Sequence, residues 1–289
     1  MNIFRTLILA IIVLLTASFS SDKPAYRIYD AKGKSIKFKK LVKKLDDADV
    51  VFFGELHDNP VCHWMQLELT RDLYIENQGK LILGAEMFEA DNQVMLDEYL
   101  NNMIRQKDFE KEARLWPNYK TDYKPLVEMA HDSGLRFIAT NVPRRYAALV
   151  HKKGLKALDS LSETAKKWLA PLPIAYDSTL QGYQKMLEMM KGMGHANPNL
   201  PKAQAVKDAT MAHFISQNMK KGHQFIHYNG NYHSKNFEGI VWYLKSEMPD
   251  VSIKTISTVE QQDVEELNEE SEDTADFFIV VDDDMTKTH

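Results

Sequence analysis

Six short runs rich in β-branched and aromatic residues recur along the chain: Val50–Phe53, Leu81–Leu83, Phe137–Ala139, Phe225–Tyr228, Val251–Ile256 and Phe277–Val281. Long segments with helical apolar spacing separate the first four. Alternation of strand and helix builds a largely parallel sheet, and strands that are apolar almost throughout need cover on both sides. The predicted fold class is therefore α/β, with a largely parallel central sheet flanked by helices on both faces. Tyr26–Tyr29 adds an edge strand, Lys32-Gly33 a turn, and Ile36–Leu45 a helix. From about 155 to 200 there is no strand signal, so this stretch reads as a helical insertion. The 289 residues are 44% hydrophobic and no Gly/Ser/Pro-rich linker divides them, which predicts one domain over 21–289.

The first residues carry one cation, Arg5, and then an apolar run, Leu7–Leu15, that is short for a membrane span. With Ser18-Phe19-Ser20 behind it, this is the pattern of a secretory signal cleaved near Ser20. The single cysteine, Cys62, is too far along to anchor lipid, cannot form an internal disulfide and excludes a cysteine zinc cage. The expected protein is exported, periplasmic or secreted. Arg5 is the only charged residue of the first 20, so the remainder carries 35 basic residues against 41 acidic ones. That balance argues against nucleic acid as a partner. Much of the acidity lies between 260 and 273, which reads as a solvated loop before the last strand.

Three motifs fall where predicted strands end: Gly54-Glu55-Leu56-His57, Ala85-Glu86-Met87-Phe88 and Gly230-Asn231-Tyr232-His233. The carboxyl ends of parallel strands share one edge, so Glu55, His57, Glu86 and His233 are predicted to meet in one pocket. A carboxylate desolvated there needs a cation or a donor, and His57, His233, Arg144, Arg145 or a metal ion could serve. Neutral imidazole suits metal ligation and general-base chemistry equally, so the two uses stay open. His227, in phase with Phe225, is expected to be a satisfied core histidine, and His223 to cap a helix end. His63, His131, His151, His195 and His289 belong to no constellation and read as surface or loop residues.

Met186, Met189, Met190 and Met193 recur at spacings of three and four, the pattern of a core-facing seam. A flexible, polarizable face is also what packs on a flat apolar ligand, and Gly192 and Gly194 stand beside it. Neither a Gly-x-Gly-x-x-Gly nor a Walker loop follows any strand, and Gly-x-Ser-x-Gly is missing. Nucleotide cofactors and an α/β-hydrolase serine are thereby disfavoured. Cys62 opens an apolar-periodic helix and reads as packing rather than as a nucleophile.

Taken in order, Gly-Glu-x-His with Asp58, Ala-Glu-Met-Phe, Asn141-Val142-Pro143-Arg144, Gln204 with Lys207-Asp208-Ala209-Thr210-Met211-Ala212, Gly-Asn-x-His and Ala275-Asp276-Phe277-Phe278 resemble the ChaN-like haem-binding family. The resemblance spans about Val50 to Val281. It implies an exported α/β protein of haem or iron uptake, with haem as ligand, a homodimer holding stacked haems, and outer-membrane uptake components as partners. The wider group includes Tiki-type proteases and erythromycin esterases, in which the matching positions form a metal or general-base centre. That correspondence makes Glu55, His57, Glu86 and His233 the residues of an alternative, a metal-dependent or histidine-based hydrolase, and leaves room for a divalent metal. The chain departs from the family's usual form in having no lipid-anchoring cysteine. For the haem iron, Tyr146 is the first expected axial ligand, with His57, His213 and Met190 as others, and Arg144 and Arg145 as partners for the propionates.

Overall fold

The computed structural model describes residues 23–192 and 197–289. The leader, and with it Met193, Gly194 and His195, lies outside them. Seven strands form one sheet: β1 Tyr26–Asp30, β2 Val50–Glu55, β3 Leu81–Glu89, β4 Arg136–Asn141, β5 Gln224–Gly230, β6 Ile253–Gln261 and β7 Phe277–Asp282. The helices are α1 Phe38–Leu45, α2 Pro60–Glu76, α3 Gln93–Leu100, α4 Gln106–Glu112, α5 Lys124–Ser133, α6 Arg144–Lys153, α7 Glu163–Lys166, α8 Gln181–Gly192, α9 Leu200–Asn218 and α10 Ile240–Glu247. Strand order is β1-β7-β6-β2-β5-β3-β4, with only β1 antiparallel to its neighbour. Every predicted strand is present, the α/β class holds, and Tyr26–Tyr29 is indeed at an edge.

The two sheet faces carry separate cores, as continuous apolar strands require. On one, Val51, Phe53, Leu83, Ile226 and Tyr228 pack under α1, α2 and α5. On the other, Val50, Phe52, Ile82 and Phe225 pack under α6, α9 and α10. The acidic segment is less solvated than expected. Val264 and Leu267 are buried against Tyr29 and Phe278 in a small third cluster, so two apolar side chains dock a loop whose charges face water.

His227 behaves as expected. It is fully buried, its Nε2 lies 2.8 Å from Thr140 Oγ1 and its Nδ1 3.0 Å from Asn229 Oδ1, and burial pulls its pKa down to about 4. His223 does not cap a helix: α9 closes at Asn218, and His223 lies in the turn before β5 with its Nδ1 unbonded. Asn59 caps α2, its side-chain oxygen accepting from Cys62 N at 3.0 Å, with Pro60 in the first turn where no donor is needed. Asn59→Ala is expected to lower stability by about 1 kcal/mol, read from the urea midpoint.

Candidate active site at the sheet edge

Adjacent parallel strands β2 and β5 pair in register, Glu55 opposite Gly230, and β3 lies on the far side of β5. This order brings Glu55, His57, Glu86 and His233 to one edge. They form two separate pairs rather than one cluster.

The first pair is Glu55 and His57. Glu55 is buried; its carboxylate lies 2.9 Å from His57 Nδ1 and accepts from Tyr123 OH at 2.5 Å and Gln66 Nε2 at 2.5 Å. Tyr123 comes from a single wide helical turn, Tyr119–Tyr123, of a kind often found at functional sites. Burial alone would raise the Glu55 pKa, but the bond from His57 and the charge of His63 outweigh it, and the carboxyl is held below its ordinary value. The same bond raises the His57 pKa against the effect of burial. The ring rests edge-on against Trp116 at 4.9 Å and its side chain stays 44% exposed, leaving Nε2 as the free nitrogen. A side chain at Gly230 would push the ring aside, because a Cβ there would stand 2.8 Å from His57 Nε2.

Glu86 and His233 make the second pair, and both are buried. Glu86 accepts from Gly230 N at 2.9 Å and lies 3.1 Å from His233 Nε2. On the other side of the ring, Nδ1 is 2.5 Å from Asp208 Oδ1, and Asp208 accepts from Tyr183 OH at 2.8 Å. Burial would lower the His233 pKa, yet Glu86 and Asp208 lift it to about 9, so the ring is an imidazolium donating from both nitrogens at neutral pH. Burial likewise opposes ionisation of Glu86, and His233 overcomes it, holding the carboxyl well below its usual range. With both nitrogens committed, His233 has none left for a metal or a substrate proton. Among the described residues no three His, Cys, Asp or Glu side chains converge on a metal position, so a divalent metal is not supported.

A cavity of about 590 Å³ opens beside these pairs. His57, Glu86, Gly230 and His233 form its floor, and Gln204 and Lys207 of α9 one wall. Gly182, Lys185, Met186 and Met189 of α8 cover it, with Tyr232 and Lys235 at the side. The methionine stripe is therefore not a core seam. Tyr183 is the sole buried residue of α8, and Met189 is 52% exposed. The phase of the helix turns Met186 and Met189 toward the cavity and leaves Met190 off its wall.

Other expected haem contacts lie elsewhere. Tyr146 packs in the core beneath Arg145, whose guanidinium is 4.6 Å from the Tyr146 ring and 2.8 Å from Asp91. Arg144 is exposed, and His213 stands toward the other end of α9, near Glu247. His63 is no surface residue: it is buried, 2.9 Å from Gln66 Oε1 and 3.1 Å from the His57 carbonyl, bracing the loop of the first pair. Lysines 185, 207 and 235 and Tyr232 were not singled out from the sequence, although Lys207 and Tyr232 lie inside quoted motifs.

The fold and this edge define a parallel α/β protein with a histidine–carboxylate pocket beneath a helical cover. The sequence pattern of the family described as haem-binding uptake, Tiki superfamily, ChaN matches residues 41–244, and the chain belongs to that family. The solved structure of cofacial haem binding to ChaN of Campylobacter jejuni aligns with a TM-score of 0.68 over 89% of this chain and 96% of that one, at 18% identity. An erythromycin esterase mutant in its open conformation aligns with a TM-score of 0.47, at 12% identity, over 82% of this chain and 77% of that one. Protein RETICULATA-RELATED 5, chloroplastic, of Arabidopsis thaliana is 27% identical over 216 residues, which is 68% of this chain and 29% of the length of that curated relative.

Proposed function

We propose that this protein is an exported haem carrier of haem and iron acquisition, and that the porphyrin sits in the cavity between the sheet edge and α8. The observation that carries the reading is the composition of the cavity wall: methionines 186 and 189, with Lys185 beside them on α8, and lysines 207 and 235 line a space of about 590 Å³. Polarizable methionines suit a flat apolar macrocycle, and ammonium groups suit its two propionates. Lys185, Lys207 and Lys235 take that part in preference to Arg144 and Arg145, since Arg145 is already engaged by Asp91. Among the lining side chains that can donate to iron, His57 through Nε2 and Tyr232, which is 72% exposed, are preferred, with the thioethers of Met186 and Met189 beside them.

Exposed Met189, Tyr232 and Phe237 beside the opening support a second copy closing over it, in keeping with a homodimer. The leader, cleaved near Ser20 without a lipid anchor, suits delivery beyond the cytoplasm and hand-over to outer-membrane uptake components. Binding is favoured over hydrolysis because His233 is tied at both nitrogens, leaving Glu55–His57 as the one base-like pair that reaches the cavity among the described residues.

A haem titration followed at the Soret band tests the reading. Wild type should saturate, Tyr146→Phe should match it, and either His57→Ala or Tyr232→Phe should change the spectrum and weaken binding about tenfold or more, at least the cost of losing a ligand's outer-shell partner. No saturable change in wild type would overturn the haem assignment.

A further inference from the structure

We propose that Glu238 and Tyr183 are positioning residues that latch α8 over the cavity and thereby set how long a ligand stays bound; the second part rests on the haem reading above. Helix α8 has 12 residues, about 18 Å of length, and a single buried side chain, Tyr183. Gly182, Lys185, Met186 and Met189 fall at i, i+3, i+4 and i+7, one face, and all four line the cavity. The other side, with Gln184, Glu188 and Lys191, is exposed. So little apolar burial holds α8 that its position must come from polar ties.

Those ties gather at its first turn. The carboxylate of Glu238, more than 50 residues away, accepts from Gln181 N at 2.9 Å and Gly182 N at 2.7 Å. Two of the four orphan donors of the first turn are met by one anion at the positive end of the helix dipole. Gly182 permits this approach, since a Cβ there would lie 3.2 Å from Glu238 Oε2.

The second tie is Tyr183 OH on Asp208 at 2.8 Å. Both ties lead to the same place. Asp208 bonds His233, and Glu238 is joined through Gly239 to the His233 turn, where Gly239 (φ +57°) packs so tightly on the His233 carbonyl that no side chain fits. The cover is thus fastened to the turn that, through His233 and Glu86, forms the floor of the cavity. Helix α8 is tied at its first turn, and none of its other side chains is fully buried, so loosening the ties frees the cover; changes of this kind act on release more than on entry.

Amide hydrogen exchange on the full apo protein tests the latch without haem, and haem transfer to excess apomyoglobin tests its consequence. Tyr183→Phe should speed exchange at residues 184–192 about tenfold, the ratio for one lost charge-assisted hydrogen bond, and Glu238→Ala, which loses two, about tenfold or more, with the central strands unchanged. Each should raise the haem release rate by a similar factor while association changes less than about twofold, and Glu238→Gln, which keeps one acceptor oxygen, should fall between. If Tyr183→Phe fails to fold, Glu238→Ala and Glu238→Gln decide, since Glu238 is only half-buried. Wild-type exchange over 184–192 in the Glu238 variants overturns the latch. Faster exchange with unchanged release overturns its control of the ligand. Should wild type take up no haem at all, the haem reading falls while accelerated exchange still establishes the latch.

Discussion

His233→Ala is expected to cost about 3–5 kcal/mol of stability, because it strands two buried carboxylates, Glu86 and Asp208, that now share one imidazolium. The pH dependence makes the prediction specific. His233 has its pKa raised from 6.5 to about 9 in the folded protein, so its contribution is fully present below 6.5 and is lost as pH rises through about 9. Glu86 is shifted the other way, from 4.5 downward, so its contribution is present above 4.5 and disappears as pH falls below that value. The wild-type protein should therefore be held most firmly by this network between about 4.5 and 6.5. Urea unfolding at pH 6 and pH 9.5 should show the gap between wild type and His233→Ala narrowing on the alkaline side. A loss that is equal at both pH values, or below about 1 kcal/mol, would mean that the imidazolium is not the support described.

Gly54→Ala should lower Tm by roughly 6–10 °C, corresponding to about 3 kcal/mol, the upper part of the cost of overpacking. Gly54 lies in β2, at the middle of the sheet, and pairs with Ser257 on one side and Asn229 on the other. A Cβ there would press on Asn231 Oδ1 and sit 2.8 Å from the Ile256 carbonyl. Neither can give way cheaply. The Ile256 oxygen is backbone, and Asn231 Oδ1 accepts from Ser257 Oγ at 3.0 Å and Thr258 N at 3.1 Å. Because Asn231 opens the turn that carries Tyr232 and His233, the same change should weaken haem binding in the Soret titration. An unchanged melt measured by circular dichroism would sink the argument.

Most of the strands were readable because they are built around short β-branched or aromatic runs, and the meeting of Glu55 with His57 follows from their place just at and beyond the end of β2. What periodicity cannot supply is which strand lies beside which. That β5 inserts between β2 and β3 decides that Gly230 is wedged between His57 and Glu86, and nothing in a local pattern encodes it. The division into two pairs was equally hidden, since Asp208 belongs to a helix and reaches His233 only through the packing of α9. Tyr146 and Arg145 are a related case: closeness to the end of β4 in sequence does not fix what a side chain meets, and in the fold Tyr146 packs in the core while Asp91 holds the Arg145 guanidinium. The methionine spacing predicted a face correctly but not what that face looks at, and the lysines that line the cavity carry no spacing signal at all.

The three motif side chains of the floor, His57, Glu86 and His233, stand on, or just beyond, strands that are hydrogen-bonded to their neighbours, whereas the cover belongs to the connection from β4 to β5, residues 142–223. The chemical groups are thus indexed to the backbone lattice of the sheet, and the piece that meets the ligand's outer face hangs from a single crossover. Rewriting the exposed and cavity-facing positions of α8 alters which molecule is accepted, so long as Tyr183 and Asp208 of the same crossover stay in place to aim His233, and one floor can then serve under interchangeable roofs.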